Sequence, residues 1–375
     1  MKILLVSPTD PPKPGNVQFL MGGEHTYTQT LLSYPPDGVE YVHFLDALAK
    51  GDISFGAWST ITRQLQKLRI LPLSAGLVDI SVKGTFDLIH CHAYALKLSG
   101  RIPVVLSDSS SNEHTLRYYF GWGTLRIRCT YFLQKLLYAL MDVCDGETGT
   151  GAFRSIIVFS EFAKGLHRTS GLPSAAMRVI HPGVPDPGTV HFLKREKRTT
   201  VNILFVGTWF ERKGGRLLVD AYRELVRRHA HISLTIIGNI PLSVDLHDVP
   251  NVSHKTWVPH DCIVRDYYPH ADIFVLVPPK AEGYGFVVVE AMSFGIPVIV
   301  TNVCALPELV EHGKSGLVIK PGSLHQLTDA LEQLIIDKTL RRTMSKEARK
   351  RFLRAFSIRV SQKRLTEVYK DAIRA

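Results

Sequence analysis

The feature that most constrains the fold of this chain is a pattern of short apolar runs separated by longer segments of helical periodicity, and this pattern occurs twice. In the first half the apolar runs lie at residues 2–7, 86–92, 102–108 and 155–160. In the second half they lie at residues 201–207, 232–238, 271–277, 296–301 and 316–319. Such alternation favours parallel sheets with helices on both faces. We therefore predict an α/β protein with two Rossmann-like, doubly wound domains.

The boundary between these domains is predicted from composition. Residues 183–200 combine Pro and Gly with a charge-rich stretch, which is typical of a linker. We predict an N-terminal domain over residues 1–190 and a C-terminal domain over residues 191–356, with the final helix, 357–375, crossing back onto the first domain. Two such domains facing each other would form a cleft.

Cysteine usage and hydropathy exclude several classes of protein. The five cysteines are scattered without a CxxC pair, which argues against a disulfide framework or structural zinc and indicates a reducing compartment. Residues 2–7 fit a first strand better than a signal peptide. No stretch reaches the roughly 20 apolar residues that a membrane-spanning helix needs. We predict a cytoplasmic protein that does not span a bilayer.

The net charge of +11 is concentrated in the C-terminal tail, where residues 338–375 contain 13 Lys and Arg against 3 Asp and Glu. Apolar residues of this tail recur every four positions, at Leu340, Met344, Ala348 and Phe352. The spacing predicts an amphipathic helix docked on the body with solvated arginines outside. Peripheral contact of the tail with an anionic membrane, on the cytoplasmic face, is the alternative. Nucleic acid is not an expected partner, because no aromatic residues interleave with the charge.

The segment 117–142 is aromatic and basic. Arg128, Lys135 and Asp142 recur every seven residues and form a narrow polar stripe on an otherwise apolar helix. Because a wide apolar face usually means burial, we predict a buried domain helix. An interfacial membrane helix and an element lining an acceptor site are the alternatives.

The stretch AEGYGFVVVEAMSFG, residues 281–295, concentrates unusual features between two predicted strands. Gly283 and Gly285 permit a sharp turn, after which a helix begins whose first amides have no intrahelical partner. Such a helix start attracts phosphate. Glu282 precedes it and Glu290 lies one to two turns inside it, as expected for a ligand with central phosphates and a sugar at each end. A helix cap plus a surface glutamate explains the residues equally well.

Five segments carry a resemblance to a known family: 281–319, 203–225, 158–168, 179–185 and 22–33. They are similar to the signature motifs of the retaining glycosyltransferases of family 4, the glycogen-synthase-like and mannosyltransferase-like enzymes, including their pair of glutamates separated by seven residues. The resemblance implies a GT-B architecture and a hexosyltransferase. That enzyme would move a sugar from a UDP- or GDP-sugar co-substrate to the hydroxyl of a glycan, a lipid-linked molecule or a small molecule, without a cofactor.

The resemblance also implies roles for individual residues. Glu282 would face the donor sugar and the reacting centre, Glu290 would hold the ribose, and Lys213 would neutralise the donor phosphates. Members of the family usually carry an arginine where this chain has Thr208, so we assign the second phosphate cation to Arg212.

Further positions are implied to contact the donor, mostly through backbone that approaches the diphosphate from either domain. These positions are Gly22, Gly23, Gly207, Thr208, Tyr284, Gly285, Phe286 and Val287. Many members have a histidine after the strand at 102–108. Asp108, Ser109 and His114 are the candidates for that acceptor-side place.

The chain contains no pair of aspartates two positions apart, so the DxD metal clamp of other glycosyltransferases is missing. His90 and His92 share one face of a strand, but no third ligand accompanies them. We therefore predict a metal-independent reaction. The alternatives are a GT-B nucleotide-sugar epimerase and a non-catalytic protein that binds a nucleotide sugar.

Overall fold

The computed structural model describes residues 1–7, 21–56, 76–109, 114, 117–118, 121–145, 153–169, 176–188 and 199–375. The chain forms two compact units. Unit 1 comprises Met1–Gly183 and Ile358–Ala375, and unit 2 comprises Val184–Ser357. Most of the predicted linker, with the domain boundary proposed at residue 190, lies outside the described residues.

The strands and helices are numbered in chain order. The strands are β1 (Lys2–Val6), β2 (Glu40–His43), β3 (Ile53–Phe55), β4 (Gly76–Val82), β5 (Leu88–His92), β6 (Tyr94–Ser99), β7 (Val104–Asp108), β8 (Val143–Cys144), β9 (Ser155–Val158), β10 (Met177–Val179), β11 (Val201–Trp209), β12 (Ile232–Asn239), β13 (Val252–Lys255), β14 (Ile273–Leu276), β15 (Val298–Thr301) and β16 (Gly316–Ile319). The α-helices of four or more residues are α1 (Met21–Ser33), α2 (Phe44–Ala49), α3 (Thr124–Met141), α4 (Glu161–Thr169), α5 (Gly215–Arg228), α6 (Phe286–Ser293), α7 (Leu306–Leu309), α8 (Leu324–Ile336), α9 (Lys338–Ala355) and α10 (Ile358–Arg374).

Unit 1 contains a parallel sheet and a second, mixed sheet. The parallel sheet has the strand order β10-β9-β7-β5-β1-β2, so the order reverses between β1 and β5. The second sheet has the order β3-β4-β6-β8, with antiparallel pairs at both edges. This second sheet was not predicted from the sequence, because its strands are short or partly polar and lack a clear apolar run.

Unit 2 contains a parallel sheet with the order β13-β12-β11-β14-β15-β16, the arrangement of a doubly wound nucleotide-binding domain. Its strands are largely buried because helices cover both faces, except for the edge strand β13, which is mostly exposed. On α5 the buried residues Leu218, Ala221, Tyr222 and Leu225 recur at helical spacing and pack into the core of this unit. The alternation of strands and helices predicted from the sequence is therefore confirmed as an α/β fold with parallel sheets.

The C-terminal tail forms two helices. On α9 the predicted contact residues Met344, Ala348 and Phe352 are buried. The prediction of solvated arginines on its outer side is wrong for Arg349, which is buried, donates to the Ser293 carbonyl at 2.6 Å and binds Asp186. Helix α10 belongs to unit 1, where its Tyr369 hydroxyl lies 2.7 Å from the imidazole Nδ1 of His90.

The prediction of a buried helix over residues 117–142 is wrong for one face of α3. Its buried side carries Ile127, Gln134, Tyr138 and Met141, and the last two pack with β4, β6 and β8. The opposite side exposes large apolar side chains. Hydrophobicity alone could not show which of two apolar faces is covered. Within the described part of the chain, no helix combines the length and apolar character needed to cross a membrane.

Candidate functional site

The carboxyl ends of β11 and β14 bring two polar segments of unit 2 together. The strand order changes direction between these neighbours, and ligands of doubly wound sheets bind at such switch points. The loop after β11 carries Arg212 and Lys213, and the segment after β14 carries Glu282. The Val277 N–H donates to the Lys213 carbonyl at 3.2 Å, which holds the two segments side by side.

Glycines make this close approach feasible. Gly214 has a φ of +83°, and a Cβ at this position would lie 2.0 Å from the Val277 carbonyl oxygen. A Cβ on Gly207 would lie 2.5 Å from Cδ of Lys213. The Gly207 position predicted to contact the donor therefore lets the lysine stem lie across the end of β11. The side chain of Thr208 next to it is exposed.

Lys213 and Glu282 form a buried ion pair. The ammonium Nζ lies 3.2 Å and 3.1 Å from the two carboxylate oxygens. Arg212 Nη1 lies 3.4 Å from Oε2 of Glu282 and donates to the Ala281 carbonyl at 3.2 Å. The predicted catalytic residues Glu282, Lys213 and Arg212 are thus in mutual contact, although 69 residues separate Lys213 from Glu282.

Burial and charge act on these groups in opposite directions. Burial alone would raise the pKa of Glu282, but the nearby Lys213 and Arg212 outweigh it and hold that pKa below its usual range. Burial lowers the pKa of Lys213, and the like charge of Arg212 lowers it further. The site is therefore a carboxylate clamped by two cations, and an anionic ligand would find both cations preorganised.

Glu290, the second glutamate of the stretch, has a separate set of partners. Its carboxylate accepts from the Tyr268 hydroxyl at 2.7 Å and lies 2.8 Å from Nε2 of His260. Burial would raise the pKa of Glu290, but His260 and Tyr268 together lower it. Glu290 in turn raises the pKa of His260, whose side chain is 61% exposed. The sequence analysis named Glu290 but neither of these partners.

Helix α6 begins directly after Gly285, which has a φ of +93°. A Cβ on Gly285 would lie 2.7 Å from Cδ2 of Leu306, so this entry into the helix requires glycine. The side chains of Tyr284 and Phe286 are buried and pack edge to face, with ring centroids 5.2 Å apart. These residues and Val287 can therefore act on a ligand chiefly through backbone amides, which at a helix start attract anions.

The acceptor-side candidates lie in unit 1, and each of them contacts different partners. The Ser109 hydroxyl donates to Oε1 of Glu24 at 2.6 Å. Asp108 lies 4.0 Å from Nε2 of His167, a buried histidine of α4. His114 is buried between the rings of Tyr118 and Phe162.

The glycine pair predicted to approach the donor begins the first helix. Gly22 and Gly23 lie in the first turn of α1, immediately before Glu24.

A buried polar cluster of unit 1 was missed by the sequence analysis. Glu24 pairs with Nε2 of His92, and Nδ1 of His92 lies 2.9 Å from the Ser107 hydroxyl. That hydroxyl also lies 2.8 Å from Nε2 of His90. His92 keeps the pKa of Glu24 low against the effect of burial, whereas burial lowers the pKa of His90 to about 3. The signal was available in Glu24 directly after two glycines and in the histidine pair, which we considered only as metal ligands.

The described residues contain no group of three or more His, Cys, Asp or Glu side chains arranged to hold a metal ion.

Comparison with known proteins relates part of this chain to a family. Residues 191–351 match the family model described as "Glycosyl transferases group 1". The chain contains a glycosyltransferase group 1 domain. The residues clustered at the end of β11, at the start of α6 and around Glu290 all lie inside this domain, whereas the acceptor-side candidates of unit 1 lie outside it.

Curated relatives match the chain over different lengths. The capsular polysaccharide biosynthesis glycosyltransferase CapM of Staphylococcus aureus is 29% identical over 173 residues, 44% of each chain. The GDP-mannose-dependent alpha-(1-6)-phosphatidylinositol monomannoside mannosyltransferase of Mycobacterium tuberculosis is 30% identical over 240 residues, 58% of each chain. The D-inositol 3-phosphate glycosyltransferase of Corynebacterium glutamicum is 24% identical over 90% of this chain and 85% of its own. The matches to CapM and to the mycobacterial enzyme thus span about half of each relative's length.

Solved structures match the whole chain. The Anabaena protein HepE, crystallised with UDP and glucose, has a TM-score of 0.64 at 16% identity and 99% coverage of both chains. The sucrose-phosphate synthase of Thermosynechococcus elongatus has a TM-score of 0.65 at 15% identity and 98% coverage of both chains. At such low identity these likenesses show the fold, which is that of the GT-B glycosyltransferases.

Proposed function

We propose that this protein is a retaining, metal-independent glycosyltransferase of family 4 that moves a hexose from a nucleotide-diphosphate sugar to an acceptor hydroxyl. One observation carries the proposal: Lys213 and Arg212 converge on Glu282 at the switch point of unit 2. The group 1 family match over residues 191–351 supports it.

The chemistry follows from where charge develops. Cleavage of the bond between the sugar and the diphosphate leaves negative charge on the departing phosphate. Lys213, Arg212 and the first amides of α6 stabilise that charge more in the transition state than in the ground state. Glu282 would accept hydrogen bonds from the sugar hydroxyls, and Glu290, fixed by Tyr268, would do so from the ribose.

The donor is proposed to carry UDP or GDP. HepE was crystallised with UDP and glucose, and the mycobacterial relative is named for its dependence on GDP-mannose. Both nucleotides share the diphosphate that Lys213 and α6 would bind, and they differ only in the base. No cofactor beyond this co-substrate is required by the proposed reaction.

The acceptor hydroxyl is proposed to meet unit 1 near Glu24, Asp108 and Ser109. Glu24 is held ionised by His92 and lies in the first turn of α1, close to Ser109. A carboxylate of this kind accepts hydrogen bonds from hydroxyl groups, so the acceptor would be a polyol, a glycan or a lipid-linked sugar. Retention and metal independence are part of the proposal; the missing DxD pair supports metal independence.

The experiment is a donor panel. The full chain is incubated with UDP-, GDP- and ADP-sugars, with and without EDTA, and the products are followed by chromatography and NMR. Release of free nucleotide that EDTA does not suppress, with retained anomeric configuration, is the expected result. An epimerised nucleotide sugar would point to an epimerase instead, and binding without turnover would point to a binding protein.

A peripheral location on the cytoplasmic face of a membrane is also a proposal, through the exposed basic residues of the tail, among them Arg342, Lys363 and Arg364. The structure limits how many charges this surface offers. Arg349 binds Asp186, and Arg351 and Arg354 both bind Glu311. Three of the tail's arginines are therefore paired within the protein, against two carboxylates.

A further inference from the structure

Helix α3 has two apolar faces, and among the described residues only one of them is covered. The covered face packs on the second sheet of unit 1 through Tyr138 and Met141. The other face carries five side chains that are 52–78% exposed, which we call the apolar stripe: Leu125, Phe132, Leu133, Leu136 and Leu140. Since successive residues of an α-helix turn by about 100°, these positions fall on one side, opposite the covered face.

A contiguous stripe of this kind differs from ordinary surface hydrophobics. Single exposed apolar residues are common on soluble proteins, whereas a contiguous patch marks a surface that binds something apolar. The glutamine at position 134 lies on the covered face, while leucine and phenylalanine face water. This distribution is the reverse of what solvation alone would favour.

The charges around the stripe indicate what covers it. Residues 124–141 include no Asp or Glu, so the whole helix is basic. Helical geometry places Arg126 on one side of the stripe and Arg128 and Lys135 on the other. The Arg126 guanidinium lies 3.8 Å from the ring centroid of Trp122, just ahead of the helix. Tryptophan and flanking basic residues are typical of helices that lie at the boundary between lipid head groups and acyl chains.

We propose that α3 lies on an anionic lipid surface, with the apolar stripe in the acyl boundary and its basic flanks against the lipid phosphates. This surface differs from the tail surface considered above. The apolar side chains of α9, such as Met344 and Phe352, are buried within the protein, whereas the apolar stripe of α3 is exposed. The proposal does not depend on glycosyl transfer, because it concerns where the protein sits rather than what it converts.

A second copy of the chain fits this face less well. A helix of 18 residues is about 27 Å long and its stripe about 10 Å wide, so it offers a few hundred Å² against the roughly 800 Å² per partner of a standard interface. Two copies would also bring their arginines and lysines together. A lipid surface has neither difficulty, since it supplies phosphates along the full length of the helix.

The test is vesicle flotation of the full chain with phosphatidylcholine vesicles and with vesicles that also contain phosphatidylglycerol. We expect the wild type to float with the anionic vesicles only. The double variant Phe132→Asp/Leu136→Asp should bind at least about tenfold more weakly, since each side chain loses its apolar burial. The double variant Arg128→Gln/Lys135→Gln should lose about fivefold per charge removed.

Matched controls make the result specific. Ile336→Asp changes a single exposed apolar residue of α8 away from the stripe and should float like the wild type. Lys314→Gln/Lys320→Gln removes two exposed charges of unit 2, outside both α3 and the tail, and should change flotation little. Thermal unfolding of each variant checks that it folds, and donor hydrolysis in vesicle-free buffer should stay at the wild-type level for the α3 variants.

Three outcomes would overturn the proposal. The wild type could fail to float with anionic vesicles, or the stripe variants could float as well as Ile336→Asp. A wild-type dimer in solution that Phe132→Asp/Leu136→Asp dissociates would assign the stripe to a second copy. Loss of donor hydrolysis in the α3 variants would count against the proposed function. The lipid proposal is decided by flotation alone.

Discussion

Each unit places polar residues at the carboxyl ends of the strands of its own parallel sheet, but the two units bring these residues together differently. In unit 2 the clamp of Arg212, Lys213 and Glu282 comes from two loops that follow neighbouring strands. In unit 1 the cluster joins Glu24 of α1 to His92 of β5, and it continues through His90 to Tyr369 of the last helix. The first arrangement follows from strand order and local motifs, whereas the second depends on contacts that span nearly the whole chain.

The largest expected effect is on the unit 2 clamp. Lys213→Ala removes the ammonium that would stabilise the departing phosphate, so the donor turnover kcat should fall by about 10² or more. The protein should remain folded, since the glycines and the sheet are unchanged. Arg216→Ala is the matched control, because Arg216 is exposed and binds Glu211 and Ser243, which lie outside the clamp. Equal turnover in the two variants would contradict the assigned role.

The unit 1 cluster should matter more for stability. Tyr369→Phe removes the hydroxyl that lies 2.7 Å from both His90 and Tyr41, leaving a buried imidazole and a half-buried phenol without that partner. The free energy of unfolding should fall by about 2 kcal/mol in urea titrations. Tyr34→Phe alters an exposed tyrosine and should change stability by less than about 0.5 kcal/mol. Similar losses in both variants would show that α10 is not anchored through this hydroxyl.

A substitution at Glu24 tests whether the acceptor role proposed for it is separate from donor chemistry. Glu24→Gln keeps the shape but removes the carboxylate opposite His92, so transfer to an acceptor should slow by about tenfold. Hydrolysis of the donor alone should change little, since the unit 2 residues are intact. Rates are compared with Glu40→Gln, an exposed residue of β2. A loss of hydrolysis as large as the loss of transfer would argue against an acceptor role.

The smallest expected effect is a pH dependence at Glu290. Its carboxylate raises the folded-state pKa of His260, so the pair's contribution to stability is complete below the unfolded pKa, about 6.5. That contribution disappears as the pH rises through the higher folded pKa, while Glu290 stays ionised. The stability difference between wild type and His260→Gln should therefore shrink with rising pH. It should stay below about 1 kcal/mol, because the imidazole is 61% exposed.

The control for this pH dependence is His325→Gln, a histidine of α8 whose side chain is 85% exposed. Urea unfolding of the three proteins between acidic and alkaline pH gives the comparison. A difference between wild type and His260→Gln that grows with rising pH would contradict the assigned pairing.

Strands could be predicted from the sequence where burial repeats along the chain. Continuous apolar runs such as 201–207 and 271–277 become β11 and β14, because strands covered on both faces need apolar residues throughout. The meeting of Lys213 with Glu282 follows from the adjacency of those strands. The turn before α6 could also be predicted, because a glycine marks it in the sequence. In the structure Gly285 adopts the positive φ that favours glycine.

Two features could not be predicted from the sequence: the long-range contacts, and which face of a helix is covered. The hydrogen bond between His90 and Tyr369 joins residues 279 positions apart, and no local pattern encodes it. The outward face of α3 could not be distinguished from its covered face, because both are apolar. The mixed sheet of β3, β4, β6 and β8 was missed because its strands carry polar residues such as Asp79 within them.

The most direct test of the central claim is a crystal structure of the full chain with a bound nucleotide sugar. The account predicts the diphosphate at the start of α6, with an oxygen within hydrogen-bonding distance of Nζ of Lys213 and the amides of residues 286–287. A nucleotide sugar bound elsewhere, with Lys213 still paired to Glu282 and no phosphate beside it, would contradict the account.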